Sequence, residues 1–225
     1  MNKFITGLFL LIITYTSQNK IMAQQTIRYV ALGDSYTIGT GAKEATEAWP
    51  ILLTKHLKEN KINIELIANP AINGFTTQRL IDYELPILDQ SKPTFVTLLI
   101  GVNDWVQGVD AVTFQNNLIF IIDHIQKQLA DKSKLVLITI PDFGVTPTGA
   151  NYSAGRDIAE GIAAFNLVIT SEADKRKLKT IDLFELSKGM KTDRTLIAQD
   201  GLHPSAKEYA LWETHIYQVI YALLK

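Results

Sequence analysis

An aspartate and a histidine stand three residues apart in DGLHP (200–204), near the end of a 225-residue chain that holds four histidines. Asp-Gly shapes a turn, and Pro204 biases His203 away from helix toward extended backbone. A carboxylate three residues upstream on the same loop can reach one imidazole nitrogen and fix the tautomer. The other nitrogen is then free to act as a base. A turn with a surface histidine is the plainer alternative. His56, His124 and His215 sit on helical patterns without a partner motif.

A base needs a proton to take. The chain has no cysteine, which excludes a thiol nucleophile, disulfides and Cys-ligated zinc. Ser35 in GDSYT (33–37) is the candidate hydroxyl. It is expected to be exposed at a strand end, beside the first turn of a helix, where free N–H groups and the helix dipole favour negative charge. The structural alternative has Gly33 making the turn, with Asp34 or Ser35 as a helix cap. Gly74 in NPAING (69–74) lets a backbone N–H approach a substrate oxygen with no side chain in the way, unless NG is only a turn. Asn103 in GVND (101–104) offers a side-chain amide to an oxyanion, or is a loop residue followed by Asp104 as an N-cap.

These pieces must be brought together by the elements between them. Short apolar runs at 27–32, 62–68, 94–100, 134–140 and 179–184 read as strands. Amphipathic stretches at 49–57, 77–88, 114–129, 157–177 and 206–224 read as helices. The last opens with Ser205 as N-cap and Glu208 at N3, the pattern of a capping box. Strands alternating with helices predict a five-stranded parallel sheet in one α/β domain, helices on both faces. Ligands of such sheets bind beyond the carboxyl ends of the strands. GDSYT, NPAING, GVND and PDFG (141–144) each follow a strand, and DGLHP follows the fifth after a spacer. Trp105, Phe143 and Tyr152 fall on loops near that edge and are candidates for lining an acyl or alcohol pocket, with core or rim packing the alternative.

Taken together, Ser35 in GDSYT, Gly74 in ING, Asn103 in GVND and His203 with Asp200 in DGLHP resemble the SGNH, or GDSL-like, hydrolase family of esterases and lipases. The likeness spans roughly 27–224. The first block has tyrosine where the family's name-giving form has leucine, outside the reacting groups. The resemblance implies a three-layer α/β/α fold, flavodoxin-like, with strand order 2-1-3-4-5. It implies Ser35 as nucleophile, His203 as base and Asp200 as its orienting acid. An oxyanion hole would come from the Ser35 and Gly74 N–H groups and the Asn103 amide, with no metal and no cofactor. The G-x-S-x-G elbow of α/β-hydrolases is a different arrangement.

Composition narrows the partners. With 22 basic and 23 acidic residues and a net charge of −1, nothing points to nucleic acid or an anionic membrane. Residues 1–23 combine a basic start, a short apolar run and a small residue, Ala23, at a plausible cleavage point. That is the layout of a signal peptide, with a retained anchor as the alternative. Cleavage removes Lys3 and Lys20 and no acid. The expectation is therefore an exported, periplasmic or secreted domain at 24–225, with no stable membrane association after signal removal. Its substrate is expected to be a small-molecule or glycan ester, with a short acyl group such as acetyl on a carbohydrate. Alternatives are a lysophospholipase or thioesterase, a metal-dependent phosphoesterase, and a non-catalytic glycan-binding module.

Overall fold

The apolar runs become the five strands of one sheet. The computed structural model describes residues 25–225, so the expected signal peptide lies outside the described residues. Strands β1 (Ile27–Gly33), β2 (Ile64–Ala68), β3 (Phe95–Leu99), β4 (Leu135–Ile138) and β5 (Lys179–Ile181) form one parallel sheet in the order β2-β1-β3-β4-β5. Every residue of β3 and β4 is buried, as strands covered on both faces require. Gly33 pairs in register with Leu99, so β1 and β3 end level. The chain reverses direction across the sheet between these two strands, which opens a crevice at their carboxyl ends.

The connecting helices are α1 (Ser35–Ile38), α2 (Glu44–Glu47), α3 (Trp49–Glu59), α4 (Thr77–Ser91), α5 (Val102–Val106), α6 (Ala111–Gln128), α7 (Ile158–Arg176), α8 (Phe184–Ser187) and α9 (Ala206–Leu224). Helix α3 packs on α9, while α4, α6 and α7 pack in series. The sheet lies between these two layers, in the expected three-layer arrangement. On α6, Phe114, Leu118, Ile121, Ile122 and Ile125 form the buried stripe.

Two local expectations need correction. The run 179–184 is a strand only to Ile181, because the Asp182 carboxylate accepts from Phe184 N–H at 2.8 Å and turns the chain into α8. At α9, Ser205 does cap, accepting from Glu208 N–H at 3.4 Å, but the reciprocal bond of a capping box is not made. Ser205 N–H donates to the Leu196 carbonyl, and the Glu208 carboxylate accepts from Trp212 Nε1–H at 2.7 Å.

Candidate active site

Gly33 ends β1, and the chain turns at once into α1. Asp34 caps that helix, accepting Tyr36 N–H at 3.0 Å, and Ser35 is its first residue. Ser35 is only 6 % exposed, less open than the sequence suggests. Its side chain nonetheless lines a cavity of about 200 Å³ shared with Gly74, Asn103 and His203. Four residues spread from position 35 to position 203 thus meet at one crevice.

The loop bearing His203 is held at both ends. Ala198 N–H donates to the His203 carbonyl at 2.8 Å, and Pro204 bridges Ile197 in antiparallel fashion. Asp200 accepts three bonds. Leu202 N–H and His203 N–H reach one oxygen at 2.9 and 3.0 Å, and the other oxygen lies 2.6 Å from His203 Nδ1. Partial burial pushes the Asp200 carboxyl up, but these bonds outweigh it and hold the group below the ordinary carboxylate value. With Nδ1 engaged, Nε2 is the ring nitrogen left for proton transfer. No hydrogen bond joins the Ser35 hydroxyl to His203 among the described residues. Such a gap is common before substrate tightens a catalytic pair.

The opposite wall carries hydrogen-bond donors. Asn103 sits in the first turn of α5 and donates one amide hydrogen to the Phe75 carbonyl at 3.0 Å. An amide has two such hydrogens, so one remains. Gly74 has φ +80°, a backbone region that favours glycine. Among the described residues neither its N–H nor that of Ser35 has a protein acceptor. Hydroxyl, imidazole and three spare N–H donors around one cavity make an arrangement suited to acyl transfer. Among the described residues, no cluster of three or more His, Cys, Asp or Glu is arranged to hold a metal ion.

Of the two alternatives open to them, Phe143 and Tyr152 line the cavity, whereas Trp105 packs behind it. Trp105 is 5 % exposed, packed edge-on against Phe143 with the Arg156 guanidinium 3.9 Å from its ring centre. Arg156 also donates to the Trp105 and Val106 carbonyls at 2.6 and 3.1 Å, fixing the end of α5. A ring held this way supports the wall from behind.

Five further residues, Tyr36, Asn73, Val102, Val106 and Leu202, line the cavity. Each lies in or within two residues of a motif, which is the only signal the sequence carried. Asp104 is buried and accepts Thr77 N–H at 2.8 Å and the Thr77 hydroxyl at 2.5 Å, tying α5 to the start of α4. The sequence offered Asp104 as an N-cap; it lies instead within α5, which follows Gly101, and its bonds go to a helix distant in sequence.

Residues 31–211 match the GDSL-like Lipase/Acylhydrolase family. The chain belongs to that family. Esterase TesA of Pseudomonas aeruginosa is 25 % identical over 186 residues, covering 81 % of each chain. A crystal structure of the lipase/acylhydrolase from Enterococcus faecalis superposes with a TM-score of 0.74 at 23 % identity, covering 89 % of this chain and 98 % of the other. An acetyl xylan esterase structure gives a TM-score of 0.68 at 21 % identity, covering 86 % and 100 %. This GDSL-like hydrolase is an esterase, with the sheet order anticipated from sequence.

Proposed function

We propose that Ser35, His203 and Asp200 act as nucleophile, base and orienting acid in the hydrolysis of short-acyl esters. The observation that carries this reading is the shared cavity: Ser35, Gly74, Asn103 and His203 line it, and Asp200 clamps His203 from outside at 2.6 Å. His203 Nε2 takes the Ser35 proton as the oxygen attacks the acyl carbon. Asp200 stabilises the imidazolium that results. The oxyanion receives the Ser35 and Gly74 N–H groups and the second Asn103 hydrogen. The imidazolium returns its proton to the departing alkoxide, and water repeats the sequence on the acyl-enzyme.

Size supports a small acyl group. The cavity, about 200 Å³, falls below the usual range for drug-sized ligands, and Val102, Val106, Phe143 and Leu202 wall it. An acetyl ester of a carbohydrate fits that volume, with the sugar left outside against Tyr152, which is 44 % exposed. The export reading rests on residues 1–23 alone. No described helix is long and apolar enough to cross a membrane.

Nitrophenyl esters from acetate to palmitate test the acyl preference, and kcat/KM is expected to fall with chain length. A preference for palmitate would turn the reading to a lysophospholipase or thioesterase. An alkyl phosphonate should label Ser35, seen by mass spectrometry, and Ser35→Ala should lower kcat by about 10⁴- to 10⁶-fold. Undiminished turnover in that variant would remove the nucleophile assignment. Activity should survive a chelator; its loss would favour the metal-dependent alternative.

A further inference from the structure

Below the nucleophile turn lie two carboxyl groups that the mechanism does not use. Asp34 and Glu84 are both fully buried. Each satisfies one oxygen with a backbone donor: Asp34 Oδ1 takes Tyr36 N–H, and Glu84 Oε2 takes Gly33 N–H at 3.0 Å. Each leaves its other oxygen without a partner, as do the Thr37 hydroxyl and the Asn69 side-chain carbonyl.

The four groups are neighbours. The Thr37 hydroxyl and the Leu99 carbonyl press on Gly33 so closely that a side chain there would collide with both. Glu84 holds the N–H of that same Gly33, and Asn69 Nδ2–H donates to the Thr37 carbonyl at 3.2 Å. Buried oxygens without donors are costly, and buried carboxylates without cations are costlier. The four orphan atoms include only one fixed donor, the Thr37 O–H. A second donor is needed.

We propose that Asp34 and Glu84 form a proton-retaining carboxyl pair at neutral pH, whose acid proton supplies the missing donor, and that Glu84 is a positioning residue for Ser35. The connection runs through backbone: Glu84 fixes Gly33, Asp34 caps α1, and Ser35 is the first residue of that helix. The surrounding charges favour retention. Burial first, and then the Asp104 charge, push Asp34 up to about 8, opposed by the Tyr36 N–H. Burial, and then Asp34, push Glu84 well above the ordinary range. The other titratable groups that feel Asp34 are Tyr36 on α1 and Tyr209 on α9, neither a cation. Arg79, the one basic residue of α4, is exposed and engaged with Tyr83. On β1, Arg28 is taken up by the Ser91 and Lys92 carbonyls.

Infrared spectroscopy of the full chain in heavy water tests the pair without reference to esterase activity. A protonated-carboxyl C=O stretch is expected at pH 7 in the wild type and in a Glu208→Gln background, and in that background Glu84→Gln should remove or shift it. Glu84→Gln should also keep kcat within about threefold, because an amide supplies a donor and still accepts from Gly33. Glu84→Ala should lose about 10²-fold through a displaced nucleophile turn. If Glu84→Ala does not fold, the band and the Glu84→Gln rate decide alone. A wild type without the band, its carboxylates ionised and bridged by water or a cation, would overturn the proposal. So would a Glu84→Gln variant whose kcat falls by about 10²-fold. A failure of the ester-hydrolysis reading would leave the band untouched.

Discussion

In the proposed mechanism Asp200 and Asn103 act through different atoms, so their removal is expected to cost different amounts. Asp200 spends one oxygen on two backbone N–H groups and the other on His203 Nδ1. Asparagine keeps the shape but presents an N–H where an acceptor is needed, which favours the wrong imidazole tautomer. Asp200→Asn should lower kcat by about 10⁴-fold. Asn103→Ala removes one of the three proposed oxyanion donors and should cost about 10²- to 10³-fold, chiefly in kcat. Steady-state kinetics on an acetyl ester check both, and equal losses would count against separate roles. The individual residues that meet at the cavity were legible because DGLHP, GVND and GDSYT each pair a reactive group with a turn former. The sequence left Trp105 open between lining and packing for a physical reason. An aromatic residue after a motif is equally at home in the wall or behind it, and Arg156, distant in sequence, decides which.

Short elements do the positioning, and they are the ones periodicity cannot reveal. Helices α1 and α5 have four and five residues, too few turns for a 3.6-residue pattern to show. The long helices and buried strands were legible because their apolar repeats run through several turns or an unbroken stretch. Helix α5 gains its orientation from Asp104, whose carboxylate sits on the first N–H of α4, where negative charge is favoured. Burial pushes Asp104 up, and the two Thr77 bonds oppose it. Asp104→Ala leaves a buried helix-terminal N–H unpaired, at a cost of about 1–3 kcal/mol. It also frees α5 to shift Asn103, for a further loss in kcat on the order of 10-fold. Thermal melts and kinetics on the same sample separate the two effects. A variant with unchanged Tm and unchanged kcat would show that α5 is held by packing alone.

Across the whole molecule, several buried acids favour their protonated form. Asp34 is pushed up to about 8 and Glu208 to about 7, in both cases by burial first. Glu84 and Asp104 move the same way. Each holds its proton more tightly in the folded than in the unfolded chain. Between the ordinary carboxylate value and the raised one the folded state therefore binds more protons, and stability falls as pH rises. Asp193 is held down to about 2, chiefly by Lys207, and Asp110, Asp131, Glu172 and Asp200 are also lowered. Their contribution is lost only as pH drops below the ordinary carboxylate range. The two sets leave a stability maximum near about pH 5, with a decline toward about pH 8. Thermal unfolding at fixed ionic strength across this span should show Tm decreasing above the maximum. Glu208→Gln should flatten part of that slope, because the amide does not titrate. A Tm that rises steadily from pH 5 to 8 would mean that the buried acids are ionised in the folded protein and matched by charges or water.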